Sequence, residues 1–437
     1  MPSRRSFLRS TSLAAGAAVL PSPAPGQEAP PASVPPSIAA LKSMRGLARP
    51  ITNQERLSRI ERARRLMREH GLDAVAMMGG TSLVYFGNIR WWNSERLFLM
   101  FLPARGEPFY VCPAFEEDRA REQTSAGPLG AHADIRTWEE DEDPYALAAA
   151  ALKDRGLAAG RLGIEETTFF TFAHGLAAGA PALHIVSATP VTAGCRMVKD
   201  AHEIELMRLA NRATLQAYAA AFAALREGMT QDDFEGLIAQ AHQRLGFQGG
   251  AGVQVGEFTA LPHGSATPQA IRRDTPILID GGCSVEGYES DISRTFVLGK
   301  ATDKMKRVFE IVQRAQRAAL AAAKPGAPLE SVDAAARGLV AEAGYGPGFT
   351  YFTHRVGHGI GMDGHEWPYL VKNNMFGWTR SLAATPGMTF SNEPGIYIRG
   401  EFGVRLEDDM VVTEAGAELM TPQCESIEEP FRGLTSS

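Results

Sequence analysis

Cysteine is scarce in this 437-residue chain: Cys112, Cys195, Cys283 and Cys424 are the only four. They are too few and too scattered for a disulfide framework or a zinc ribbon. An excess of positive charge is missing as well. Lys and Arg number 44 against 50 Asp and Glu, a formal net charge of −6. The chain therefore lacks the basic field with which nucleic-acid binders engage phosphates. No apolar run approaches the ~20 residues of a membrane-spanning helix. Gly and Pro, at 44 and 27 residues, follow no period, which excludes collagen-like and low-complexity classes. What is present is a sequence 44% hydrophobic and 22% charged. That composition supports a sizeable packed core, and at about 150 residues per domain the length suggests two or three domains.

The N-terminus reads Ser3-Arg4-Arg5-Ser6-Phe7-Leu8-Arg9, followed by a weakly apolar run from Ser10 to Leu20 and a proline-rich stretch, Pro21 to Pro36. This resembles a bacterial twin-arginine export signal, with Arg9 where Lys is usual. Ala24 or Ala29 would precede a cleavage site. Residues 1–36 are accordingly read as signal and spacer, and the expected location is the periplasm or the outside of the cell, with no stable membrane anchor.

From Glu55 to Glu69, Leu57, Ile60, Ala63 and Leu66 recur at helical spacing. Short apolar runs follow at Ala74–Met78, Phe98–Leu102 and Phe109–Cys112. Alternating helical and strand-like pieces continue to about Val191, which predicts an α/β domain over residues 50–195. A second domain spans 196–430. The segment Arg196–Glu227 reads as one long helix, and Thr230 with Asp233 forms a capping box for the next. The pattern then repeats. Gly228 to Gly246 and Gly326 to Gly344 are both 18 residues apart, with Phe234 matching Val332 and Glu235 matching Asp333. Such a duplication predicts two αβ halves facing each other across a cleft.

The second domain carries the chemistry. Asp280 ends the β-branched run Ile277-Leu278-Ile279, and Asp291 follows across turn material, so a hairpin with one Asp in each strand is expected. His358 lies between Gly357 and Gly359, where close approach to a ligand is possible. Glu393 and Glu407 sit in strand-like apolar sequence. A carboxylate buried without a partner costs several kcal/mol, so these groups need cations. Four carboxylates and one imidazole suit a pair of divalent ions of the Mn, Co, Fe or Zn type rather than one structural zinc.

Asp280, Asp291, His358, Glu393 and Glu407, separated by 11, 67, 35 and 14 residues, resemble the dinuclear metal site of the pita-bread metallopeptidases. That family includes methionine aminopeptidase, Xaa-Pro aminopeptidase, prolidase and the metal-free creatinase. The resemblance covers about Arg196 to Glu428, and residues 50–195 resemble the creatinase-type N-terminal domain more loosely. It implies an α/β (α+β) fold: a creatinase-like domain followed by a duplicated pita-bread domain with a curved antiparallel sheet. It implies two divalent metals, manganese foremost, with Asp280 on one, His358 and Glu393 on the other, and Asp291 and Glu407 bridging. It also implies cleavage before proline by attack of a metal-bridging hydroxide. Glu393 would shuttle the proton and His365 would donate to the scissile carbonyl. His263 and His354 would bound the proline pocket, and Tyr397 and Arg405 would line the substrate site. Arg405 is read as orienting Glu407 in preference to binding a substrate carboxylate. His70, His132, His174, His184 and His202 lie outside this frame. The expected partners are a proline-containing peptide and further copies of the chain, since the N-domain of one subunit in this family often closes the active site of another. Trp91, Trp92 or Tyr85 would do so here.

Two other readings are kept. Trp367, Tyr369, Asn373, Asn374, Phe376 and Trp378 suggest an insertion before Glu393, which would reshape the pocket for a non-peptide substrate, as in a dimethylsulfoniopropionate lyase of the same fold. A metal-free binding module is the third reading, and the five intact ligands and the export signal argue against it.

Overall fold

The helix Asn53–His70 begins at a capping box, Thr52 with Glu55, and ends on Gly71 in the left-handed conformation. It packs beside a six-stranded sheet. The strands are β1 (Ala74–Met77), β2 (Leu99–Pro103), β3 (Phe109–Pro113), β4 (Asp134–Trp138), β5 (Gly160–Ile164) and β6 (Leu183–Ser187). Their order is β4-β3-β2-β1-β5-β6. β1 pairs antiparallel with β2 and parallel with β5. β1, β2 and β3 are buried throughout, as continuous apolar runs covered on both faces should be. The computed structural model of the chain describes residues 34–434. The segment expected to be an export signal and most of the proline-rich spacer lie outside the described residues.

The helix Thr189–Arg196 closes this first layer, and a short linker leads to the helix Ala201–Ala224. The helix expected over Arg196–Glu227 is present but shorter at both ends, and Arg196 belongs to the helix before it. Asp200 caps the longer helix through a capping box with Glu203, and a cap of that kind starts a helix by satisfying its first amide groups. The duplication is present in detail. In the first half the helices Ala201–Ala224 and Gln231–Leu245 precede β7 (Gln248–Val255), β8 (Pro276–Val285), β9 (Tyr288–Glu289) and β10 (Ile292–Val297). In the second, the helices Asp303–Ala322 and Leu329–Val340 precede β11 (Gly357–Gly359), β12 (Glu366–Leu370), β13 (Thr389–Asn392), β14 (Gly395–Ile398), β15 (Phe402–Arg405), β16 (Asp408–Thr413) and β17 (Gly416–Leu419).

The four glycines of the repeat all adopt positive φ: 88° and 93° at Gly228 and Gly246, 81° and 90° at Gly326 and Gly344. A side chain would be strained at those turns. Phe234 and Val332 are both fully buried. Glu235 accepts a hydrogen bond from the Val253 amide at 2.9 Å, and its counterpart Asp333 accepts one from the Val356 amide at 2.8 Å. Each half thus ties its second helix to the chain just beyond it, and in the second half that chain leads into β11 and His358. β10-β8-β7 form one antiparallel sheet, with β9 on β8, and β12-β11-β13-β16-β17 form another, with β14 and β15 paired separately. Asp280 lies within β8, but Asp291 lies between β9 and β10. The hairpin runs past Asp280 to a tight turn at Glu286 and Gly287, with φ of 52° and 87°, so Asp291 returns on a break in the ladder.

Candidate metal centre

Asp280 from β8, Asp291 from the break before β10, His358 from β11, Glu393 after β13 and Glu407 between β15 and β16 converge on one cavity of about 380 Å³. Its lining also includes His263, His354, His365 and Arg405. Tyr397 stands behind, almost fully buried, its hydroxyl 2.7 Å from His354 Nε2 and 3.2 Å from Arg405 Nη1. Ligand-type atoms of Asp280, Asp291 and Glu407 lie within 4.8 Å of one another, and so do those of His358, Glu393 and Glu407. Glu407 belongs to both groups. That overlap makes two adjacent candidate cation positions, with Glu407 common to both.

The electrostatics ask for cations. Burial, then repulsion from Asp280 and Asp409, raises the Asp291 carboxyl well above the ordinary range. Burial, then Asp291, Glu393 and Asp280, does the same to Glu407. Burial pushes Glu393 up to about 7, although Arg405 opposes it. His358 is held neutral by burial and by the neighbouring His365, the form in which imidazole ligates a metal. Ser293 makes the same point in hydrogen-bond terms. Its hydroxyl lies 2.6 Å from Asp280 Oδ1 and 2.5 Å from Glu407 Oε2, and it accepts from Arg405 Nε at 2.8 Å. One proton serves only one of two carboxylate oxygens, so the second needs a proton or a cation of its own. An oxygen-rich donor set with one imidazole fits hard or borderline divalent ions.

Around the acids, Arg405 Nη2 pairs with Asp280 Oδ2 at 2.5 Å, while its Nε stands 3.9 Å from Glu407. Its main electrostatic partner is thus Asp280 rather than its sequence neighbour Glu407. Because side chains alternate across a strand, an i, i+2 pair shares a face without necessarily pairing. Ser391 donates to Glu393 at 3.2 Å and accepts from the His358 amide at 3.0 Å. His354 Nδ1 donates to the Arg355 carbonyl at 2.7 Å and lies 3.7 Å from Glu393. Burial lowers the His354 imidazole to about 3. The His365 ring stacks on His358 at 3.6 Å between centroids. His263 is exposed at the rim, on the loop before β8.

Several partners escaped the sequence reading. Ser293 and Ser391 orient ligands. Arg355 donates to His365 Nδ1 at 3.0 Å. Asp409, pushed up to about 8 by burial, accepts from the Asp291 amide at 3.1 Å and from Asn211 at 2.8 Å. The acidic run Glu407-Asp408-Asp409 was the available signal for the last. His242 is fully buried against Thr214 and the Ile238 carbonyl. In the N-terminal domain Trp91 is a core residue stacked on Phe98, and Tyr85 is buried with its hydroxyl on the Cys195 carbonyl. Tyr85 is thus unable to reach a neighbouring copy, whereas Trp92 is 82% exposed. Trp367 packs on Tyr369 and Trp378, and Met375 from the following turn lines the cavity.

Comparison with known proteins follows the same division. The model of metallopeptidase family M24 matches residues 205–414, and that of the creatinase/prolidase N-terminal domain matches residues 59–198. A probable dipeptidase PepE of Mycobacterium tuberculosis is 36% identical over 364 residues, covering 79% of this chain and 89% of the relative. An Xaa-Pro dipeptidase of Lactobacillus delbrueckii subsp. lactis is 33% identical, over 83% of this chain and 96% of its own. Among solved structures, dipeptidase PepE from Mycobacterium ulcerans superposes with a TM-score of 0.78 at 33% identity, covering 87% of this chain and 98% of that one. The recombinant prolidase from Thermococcus sibiricus gives 0.75 at 27% identity, over 86% and 99%.

Proposed function

The chain belongs to metallopeptidase family M24 and carries that family's creatinase/prolidase N-terminal domain, and from this premise we propose that it is a dinuclear-metal Xaa-Pro dipeptidase. The observation that carries the reading is the pair of ligand groups joined at Glu407 in one cavity. Asp280, Asp291 and Glu407 would hold one ion, and His358, Glu393 and Glu407 the other, with Asp291 reaching both. Two such ions supply an acidified water near neutral pH and a Lewis acid toward the scissile carbonyl.

The chain's own residues do the rest. Glu393 carries the proton from the attacking water to the leaving nitrogen, as a ligand carboxylate with a second oxygen lone pair can. His365, beside His358, donates to the carbonyl oxygen as negative charge develops there. An amide before proline has no N–H, so the pocket must select by carbonyl and ring shape. His263, His354 and Tyr397 supply its walls. Arg405 holds Asp280 and thereby one end of the acid cluster. Manganese is the proposed ion, a homodimer the proposed assembly, and twin-arginine export the proposed route out of the cytoplasm.

The test is a panel of Ala-Pro, Gly-Pro, Ala-Pro-Ala and dimethylsulfoniopropionate offered to protein reconstituted with Mn²⁺, Co²⁺ or Zn²⁺. Metal-dependent release of proline from the two dipeptides is expected. Cleavage of dimethylsulfoniopropionate with the dipeptides left intact would overturn the reading.

A further inference from the structure

His365 sits on an unpromising support. It ends the segment Ile360-Gly361-Met362-Asp363-Gly364-His365 between β11 and β12, where the ladder itself slips between His358 and Gly359. Two glycines in six residues leave such a turn with many backbone states. A group that must donate to one oxygen cannot be left to that freedom, since misplacement by an ångström is costly in rate.

The turn is held from outside, by the linker that joins the two domains. Arg196 Nη1 pairs with Asp363 Oδ2 at 2.5 Å and reaches Glu366 Oε2 at 3.5 Å. Lys199 Nζ bonds Glu366 Oε1, and both side chains are 2% exposed. Asp363 and Glu366 bracket His365 on either side. Thr81 of the N-terminal domain bonds the other oxygen of Asp363. The linker is itself fixed: the Lys199 amide donates to the Gly387 carbonyl at 2.8 Å, and Val198 bridges Met388 just before β13. Packing at the clamp is close. A Cβ on Gly361 would lie 2.5 Å from Glu366 Oε1 and 2.6 Å from Lys199 Cε.

We infer that Arg196 and Lys199 are positioning residues for His365, fixing the turn that carries its imidazole through Asp363 and Glu366. Buried ion pairs are poor devices for stability, because apolar pairs of equal volume commonly serve as well. This pair does something an apolar pair does not: it fixes direction at both ends of a flexible turn. The inference rests on the role given to His365 above.

The experiment replaces the buried pair by apolar residues, Lys199→Met with Glu366→Leu, so that no charge is left unpaired. Asp363→Asn, at a half-buried position, is a second variant that leaves the buried pair intact. With metal content and Tm matched to wild type, kcat on Ala-Pro is expected to fall at least tenfold in the double variant while KM changes less than twofold. In a His365→Ala background the same replacements should cost less than twofold, since a clamp acting through His365 has nothing left to position. Equal losses in both backgrounds, or no loss in either, overturn the inference. A second readout does not need turnover. In metal-free protein labelled with ¹⁵N-histidine, the His365 ring signal, assigned by its loss in His365→Ala, should shift or broaden in both clamp variants. An unmoved signal refutes the clamp even if Ala-Pro proves not to be a substrate, an outcome that would count against the functional reading instead.

Discussion

Glu393 is the residue on which the proposed chemistry turns, because it is at once a proposed metal ligand and the proposed proton carrier. Glu393→Gln keeps an oxygen for the metal and removes the base. It should lower kcat by about 10²–10⁴-fold with bound metal largely retained, checked by steady-state kinetics beside elemental analysis. His365→Ala should lower kcat by about 10²–10³-fold and leave KM nearly unchanged, as loss of an oxyanion donor does. His242 gives a separate, non-catalytic prediction. It is fully buried, and burial lowers its imidazole to about 4 from an ordinary 6.5. Below pH 6.5 the unfolded chain takes up a proton that the folded one refuses, so stability is full above that pH and is lost as pH falls toward 4. The loss amounts to about 3 kcal/mol. Urea unfolding of His242→Gln should show a shallower acid slope than wild type over this window.

At the scale of elements, the two helix-to-strand ties are the clearest products of the duplication. Asp333 carries more than Glu235, because Arg337 also pairs with it at 2.8 Å and it holds the strand leading to His358. Asp333→Ala leaves Arg337 without its acid and the Val356 amide without an acceptor, and should cost about 3–5 kcal/mol. Glu235→Ala loses one charge-assisted bond and should cost about 1.5–3 kcal/mol. Denaturant midpoints measure both. A weaker metal affinity is expected only for Asp333→Ala, by titration. These ties also mark how far the sequence was legible. The equal spacing of Gly228–Gly246 and Gly326–Gly344 predicted the repeat, because positive φ at a helix end is a local demand that glycine meets. The start of the long helix at Asp200 went unread, since the apolar period begins before it and only the cap marks the first turn.

For the whole molecule, the crowded acids of the centre repel one another, and bound cations would relieve that repulsion. Removing metal should therefore lower Tm, and refilling should restore it. An ion supplied at a hundred times its dissociation constant stabilises the folded state by about 2.7 kcal/mol, and calorimetry with and without chelator checks the sign and the size. The proposed export places a requirement on the chain as a unit. Twin-arginine export accepts folded cargo, so Arg4→Lys with Arg5→Lys should leave active enzyme in the cytoplasm, seen by fractionation. Among the described residues no helix is long and apolar enough to cross a membrane, and Trp92 is the exposed aromatic whose Ala variant tests whether copies of the chain associate through the N-terminal domain.

The order Asp280, Asp291, His358, Glu393, Glu407 was readable from sequence alone, as were the capping box of Thr230 with Asp233, the buried strands of the first sheet and the internal repeat. Each depends on residue type and on spacing along the chain. Packing decided the rest: that Arg405 faces Asp280, that Asp409 holds the Asp291 amide, that Trp91 is buried while Trp92 is not, and that a domain linker grips the turn bearing His365. Those contacts join residues as much as 167 positions apart, and local preference carries no information about which distant partner a side chain will meet. Only the mutual packing of the two halves and the N-terminal domain selects one.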